Sequence, residues 1–221
     1  IPVPEIQAYS VRVNLINGAV VVGLLMSIGT VPATAIAPTE LPPRSIKHQN
    51  SQYWSWAGPR NWVSADGAYG IQITSGNGLL NLDYGFSSIV CASGNTLEES
   101  VANYFGQQRA QLRRSLRDNW RQVRLRASNI RQLSASDYGP SYFRQSYRVS
   151  GRAQGRNWAG EIQQDYSLAS GPTYCFSRNE ARTAPAAGFR TSIRQLRSVQ
   201  GSLAYFGPGV PSGGGVTDPD A

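Results

Sequence analysis

Glu161 and Asp165 come nearest to a catalytic arrangement in this chain, because they lie four residues apart in an alternating stretch and so share one face of a strand. Two opposed carboxyl groups are what glycoside hydrolysis needs, one to protonate the leaving oxygen and one to attack or to activate water. Arg144 and Arg148 alternate in the same way on the preceding stretch, and cross-strand ion pairs account for the same spacing. No catalytic residue is assigned on this ground. Serine and cysteine triads depend on a histidine base, and the one histidine, His48, sits in a Pro-rich polar stretch with none after Asn50. Most hydrolase classes are thereby removed, and too few ligands remain for a metal centre. Gly207-Pro208-Gly209 and Gly213-Gly214-Gly215 lack the following helix and the Lys-Ser/Thr of a phosphate loop, and no cofactor is implied.

Two groups of residues are suited to binding. Tyr53, Trp54, Trp56 and Trp62 fall within ten residues and could form a flat platform for a sugar or peptide, since Trp and Tyr combine apolar area with a polar handle; the competing reading is that they seal one end of a sheet. Arg113, Arg114, Arg117 and Arg121 form the second group. At 100° per residue they lie opposite the apolar stripe of a helix, either as an anion-facing surface or as a solvated outer face. The chain carries a net charge of +8, and Lys47 is its only lysine. Arginine bias from a GC-rich genome explains that composition as well as attraction to an anionic partner does.

Cys91 and Cys175 are the only cysteines. Their context is set by the first 37 residues: Arg12, an apolar run from Leu15 to Ile28, then Pro32 and two small-residue sites, Ala33-Thr34-Ala35 and Ala35-Ile36-Ala37. This is the order of a secretory signal peptide, with a retained N-terminal anchor as the alternative. In an exported protein a lone pair of thiols is normally a bridge, with two buried free thiols as the alternative, and closing a loop of about 84 residues stabilises by roughly 4 to 5 kcal/mol at most. Removing residues 1–37 takes away Glu5 and Arg12, one charge of each sign, so the basicity belongs to the folded part.

The elements that would position these groups follow from periodicity. Residues 38–52 read as a Pro-rich linker, and 53–206 as a single domain. Strands are expected over 53–56, 62–63, 70–74 and 79–92, with Asp66-Gly67 and Asn77-Gly78 as turns. Thr96-Leu97-Glu98-Glu99 is a capping box opening a helix whose inward stripe is Leu97, Val101, Tyr104, Phe105, Gln108, Leu112 and Leu116. Further strands are expected over 123–133, 142–149, 158–168 and 173–177, with 151–155 as a hairpin loop. A second helix spans 189–206, with Phe189, Ile193, Leu196, Val199 and Leu203 inward and Arg190, Arg194 and Arg197 outward. The Gly/Pro-rich tail, 207–221, is expected to be disordered. The fold class is α+β: an antiparallel sheet with two main helices packed on it and one disulfide.

This order of hairpin (Trp62 to Thr74), strand into helix (Thr96 to Trp120), antiparallel meander (Val123 to Ser177) and closing helix (Phe189 to Phe206) resembles the PsbP-like fold over most of residues 53–206. The resemblance lies in element order and length, without a diagnostic motif. Members of that family are mostly exported or organelle proteins that bind partners and lack catalytic centres, so it implies a binding or assembly role. The disulfide and the arginine-rich helix face depart from it, and no residue role is carried over.

These readings converge on a secreted, noncatalytic binding or assembly protein of the cell exterior. Its basic helix face would dock on an anionic envelope polymer, a lipid surface or an acidic protein; nucleic acid is not an expected partner of an exported chain. The alternative is an enzyme acting on wall glycans through Glu161, Asp165 or another carboxylate without histidine. Sequencing the N-terminus of the exported protein is expected to give Ile36 or Pro38, whereas an intact N-terminus in the membrane fraction would support the anchor.

Overall fold

The structure, a computed structural model, describes residues 15–16, 19–20, 46–133, 142–168 and 174–206. Most of the expected signal segment and the whole of the tail 207–221 lie outside the described residues. The described part of the signal segment is a two-stranded antiparallel pair, β1 (Leu15–Ile16) with β2 (Ala19–Val20). Among the described residues no helix is long and apolar enough to cross a membrane.

A main antiparallel sheet has the order β5 (Val63–Gly67), β6 (Gly70–Thr74), β7 (Asn81–Val90), β12 (Tyr174–Pro185), β11 (Arg156–Leu168), β10 (Tyr142–Ala153), β8 (Arg121–Ala127), with β9 (Arg131–Gln132) also paired to β10. A second sheet has the order β13 (Ala204–Tyr205), β4 (Trp54–Pro59), β3 (Ile46–Asn50). The helices are α1 (Leu97–Asn119) and α2 (Phe189–Gly201). The molecule is mostly sheet, so the α+β description fits it only coarsely. The expected linker gives way at its end to β3, whose pairing with β4 satisfies backbone that a linker would leave to water.

Several boundaries move for local reasons. The expected loop at 151–155 shrinks to a two-residue turn, because Gln154 (φ 50) and Gly155 (φ 73) both take the left-handed conformation that matches strand twist in tight hairpins. The final long strand continues to Pro185 and not Ser177, held between β11 and β7. The second helix stops at Gly201, and the chain returns as β13 along β4. At the start of α1, Thr96 Oγ1 accepts from the Glu99 N–H at 3.2 Å, while the Glu99 carboxylate accepts from the Asn95 N–H at 2.7 Å. The capping box therefore closes one residue earlier on its return side.

The main sheet is covered on both faces, as its paired registers require. On one face α1 sets Leu112, Leu116 and the C-capping Trp120 against Tyr147, Val149, Trp158, Ile162 and Ala181. Further along α1, Val101, Tyr104 and Phe105 pack on Tyr166 and Cys175. The other face packs Ile71, Ile73, Leu82 and Ala184 against Trp54 and Trp56 of the small sheet and Ile193, Leu196 and Val199 of α2. The expected bridge is present: Cys91, just past the end of β7, is joined to Cys175 of the neighbouring strand.

Asp83 lies on β7, buried, with Gln72 of β6 as its hydrogen-bonding neighbour. Burial pushes its carboxyl up from 3.8 to about 7. The folded chain thus holds a proton there that the unfolded chain releases near pH 4, so stability falls as pH rises from about 4 to about 7. Urea unfolding between pH 5 and pH 8 is expected to show a loss of order 1–3 kcal/mol from this residue, and Asp83→Asn should remove that part of the slope.

Candidate functional site

The arginines singled out from the sequence are all exposed, but they are not one helical stripe. Arg113, Arg114 and Arg117 lie on the outer face of α1. Arg121 does not: Trp120 caps the helix in an extended conformation (φ −126, ψ 144), and Arg121 is the first residue of β8. A large aromatic ring there is better buried against the sheet than wound into another turn, and Trp120 is only 2% exposed.

β8 is an edge strand paired with β10, and this pairing assembles further basic residues. Arg126 stands opposite Arg148, Arg121 opposite Arg152, and Arg124 opposite Ser150. All five of these arginines are exposed. Sequence reasoning missed Arg124, Arg126 and Arg152 as members of a surface. Their alternation within each strand was visible, but the register that sets like charge opposite like charge was not. The ion pairs among the described residues involve Arg144, Arg178, Arg182 and Arg197, none of which belongs to this edge.

The carboxylates sit elsewhere and are engaged. Asp165, 1% exposed, takes Arg144 at 2.8 Å and Arg178 at 2.5 Å, and the Tyr142 hydroxyl donates to it at 3.1 Å. Arg144, Asp165 and Arg178 are register partners on three adjacent strands, the cross-strand pairing expected from the alternation. Glu161 stands opposite Arg148 in register but pairs with Arg197 of α2 at 2.6 Å. Residues four apart on a strand are about 13 Å apart, whereas glycosidase pairs sit about 5 to 9.5 Å apart. Glu161 and Asp165 therefore do not form a catalytic pair.

Of the two readings of Tyr53, Trp54, Trp56 and Trp62, the structure shows burial and not an exposed platform. Trp54, Trp56 and Trp62 are core residues, and Tyr53 is half-buried. Trp54 and Trp56 alternate inward on β4, where the indole N–H of Trp54 donates to the Gly67 carbonyl at 2.9 Å and that of Trp56 to Ser64 Oγ at 3.1 Å. With polar atoms satisfied, the rings gain more by burial than by exposure. The exposed rings are others. Tyr69, Phe176 and Tyr205 gather around half-buried Phe86, with ring centroids 6.1, 5.8 and 4.7 Å from it.

The sequence matches no family model and no curated protein sequence. Among solved structures, the chain is similar to cyanobacterial PsbP (CyanoP) from Synechocystis sp. PCC 6803, with 15% identity, 81% of this chain and 99% of that chain covered, and a TM-score of 0.41. It is also similar to LpqN of Mycobacterium tuberculosis, a protein involved in cell envelope biogenesis, with 9% identity, 72% of this chain and 91% of that chain covered, and a TM-score of 0.39. A third is the Saccharomyces cerevisiae Ran-binding protein Mog1p, with 7% identity, 72% and 96% coverage, and a TM-score of 0.33.

The buried charge gives a direct test of its structural role. Asp165→Asn leaves Arg144 and Arg178 without their carboxylate and is expected to destabilise by about 3 kcal/mol. Glu161→Gln, facing the exposed Arg197, should cost under about 1 kcal/mol. Urea midpoints of the two variants against wild type check this contrast.

Proposed function

We propose that this chain is a noncatalytic binding or assembly protein of the cell exterior that docks a basic surface on an anionic partner. The observation carrying this reading is the segregation of its charge. The paired arginines lie where carboxylates meet them, while Arg113, Arg114 and Arg117 on α1 and Arg121, Arg124, Arg126, Arg148 and Arg152 at the β8 edge have no carboxylate in an ion pair among the described residues. Arginines clustered without counter-charge raise the local potential, speed encounter with an anionic surface and offer forked donors to phosphate or carboxylate groups. A disulfide supports an oxidising location, as the expected signal peptide does. An anionic envelope polymer or lipid surface is the partner of choice.

Changing Arg113, Arg114 and Arg117 together to Gln removes three charges while keeping helix propensity. Sedimentation with phosphatidylglycerol vesicles at low salt is expected to show binding of wild type, a several-fold loss in the triple variant, and convergence of the two as salt is raised. Thermal melting of the variant should stay within a few degrees of wild type, since these side chains lie outside the core. Equal vesicle binding at low salt would overturn the reading.

A further inference from the structure

A cavity of about 550 Å³ opens where the end of α1, the start of β8 and the β10–β11 turn meet. Arg121 and Arg152 line it, together with Asn119, Gln122 and the turn residues 153–155. We propose that this corner is a subsite for a phosphate-type oxyanion, gripped between Arg121 and Arg152. It rests on the docking reading above and names the chemical group that the basic surface takes.

Three observations meet at this corner. The first is electrostatic. Arg121 and Arg152 are direct cross-strand partners, and like charges in that relation repel unless something between them carries the opposite sign. Among the described residues no carboxylate forms an ion pair with either, the nearby exposed Asp118 included. Two carbonyls of the last helical turn are taken by other donors: the Asn119 side-chain amide donates to the Ser115 carbonyl at 2.8 Å, and the Trp120 N–H to the Leu116 carbonyl at 2.7 Å.

The second is conformational. Gln122, next to Arg121, takes φ 54, a left-handed backbone that a residue with a side chain adopts at a cost. Beside it the β8–β10 register shifts between Ser150 and Arg152, so an extra β8 residue is accommodated at the bulge. Bulges re-aim side chains, and this one leaves Arg121 lining the cavity beside its partner. The third is packing. A side chain at Gly151 would come within 2.8 Å of the Trp120 ring, so the glycine lets that ring seat against β10 and fixes where β8 begins.

Charge and donor number favour one ligand class. Two guanidinium forks on different strands can each present paired N–H donors, and a tetrahedral oxyanion offers separate edges to both. A single carboxylate can also bridge two guanidinium groups, as Asp165 does for Arg144 and Arg178, but it brings two oxygens and one charge where a phosphate brings more of both. The phosphate can belong to a soluble molecule or to a lipid headgroup.

The full chain is tested in low-salt buffer with two probes, inorganic phosphate followed by thermal melting and phosphatidylglycerol vesicles followed by sedimentation. Phosphate at millimolar concentration is expected to raise the wild-type melting temperature in a saturable way. R121Q/R152Q should lose that rise, with affinity weakened roughly tenfold or more, and should melt no lower than wild type without phosphate because the opposed charges are gone. R152Q alone serves if the double variant folds poorly. R113Q/R114Q/R117Q should keep the phosphate-dependent rise. A further loss of vesicle binding in R121Q/R152Q assigns the group to a lipid headgroup, and unchanged vesicle binding with a lost phosphate response assigns it to a soluble phosphate. Absence of a phosphate-dependent rise in wild type, or an equal rise in R121Q/R152Q, overturns the subsite. Failure of the docking reading is separate, since it shows as equal vesicle binding by wild type and R113Q/R114Q/R117Q.

Discussion

Asp165 sits on β11 with Arg144 opposite it on β10 and Arg178 opposite it on β12, so one carboxylate answers two guanidinium groups across three adjacent strands. It is almost wholly buried, and an ion in that position is tolerated only while its partners hold it. Slipping either neighbouring strand by one residue would send the arginine to the opposite face and leave the charge alone. The longest strands of the sheet are therefore fixed relative to one another by a penalty that no apolar contact imposes. The two helices pack on faces whose composition this register decides.

The same face carries a second polar network that ties α2 to the sheet. Arg182 donates to Glu180 at 2.9 Å, the Gln200 amide donates to Glu180 at 2.7 Å, and Arg197 reaches Glu161. Gln200 and Arg197 are helical, Glu161, Glu180 and Arg182 lie on strands, and the apolar stripe of α2 packs nearby on Ile73, Leu82 and Ala184. Here apolar burial supplies attraction without direction, and the ion pairs supply direction with modest net energy. Carboxylates used in this way are withdrawn from the surface. The arginines at the β8 edge are among those left without a carboxylate in an ion pair among the described residues.

On the opposite face, Tyr166 links the disulfide to α1. Its ring stacks on Tyr104 at 4.2 Å, and its hydroxyl accepts from the Ala92 N–H at 3.3 Å, beside Cys91 and Cys175. The bridge thus closes the chain where β7 leaves the sheet for α1. The helix then runs across the sheet face to β8, and its 23 residues, at 1.5 Å each, give it roughly 34 Å of reach. The basic edge is placed by that crossing.

The sequence by itself determined what depends on local periodicity and on residue type. The stripe from Val101 to Leu116, the cap at Thr96, the one possible cysteine pair and the alternation of Arg144 with Asp165 were all legible, because each is encoded in residue type or within a few turns of helix or residues of strand. The β5–β6 hairpin was legible too, but its turn falls at Ala68 and Tyr69, since Asp66 and Gly67 pair with Ile71 and Gly70 as strand residues. The order of strands and helices along the chain was legible for the same reason. Only the tertiary structure decided which face each aromatic occupies. Trp54, Trp56 and Trp62 offer identical chemistry on a surface or in a core, and it is the α2 and β6–β7 residues far along the chain that bury them. It also decided that Arg121 belongs to a strand and meets Arg152, because strand register is a relation between residues about 30 positions apart and is set by side chains on both. The candidate site was half visible for that reason: its charges are written in the sequence, and their opposition is made by the fold.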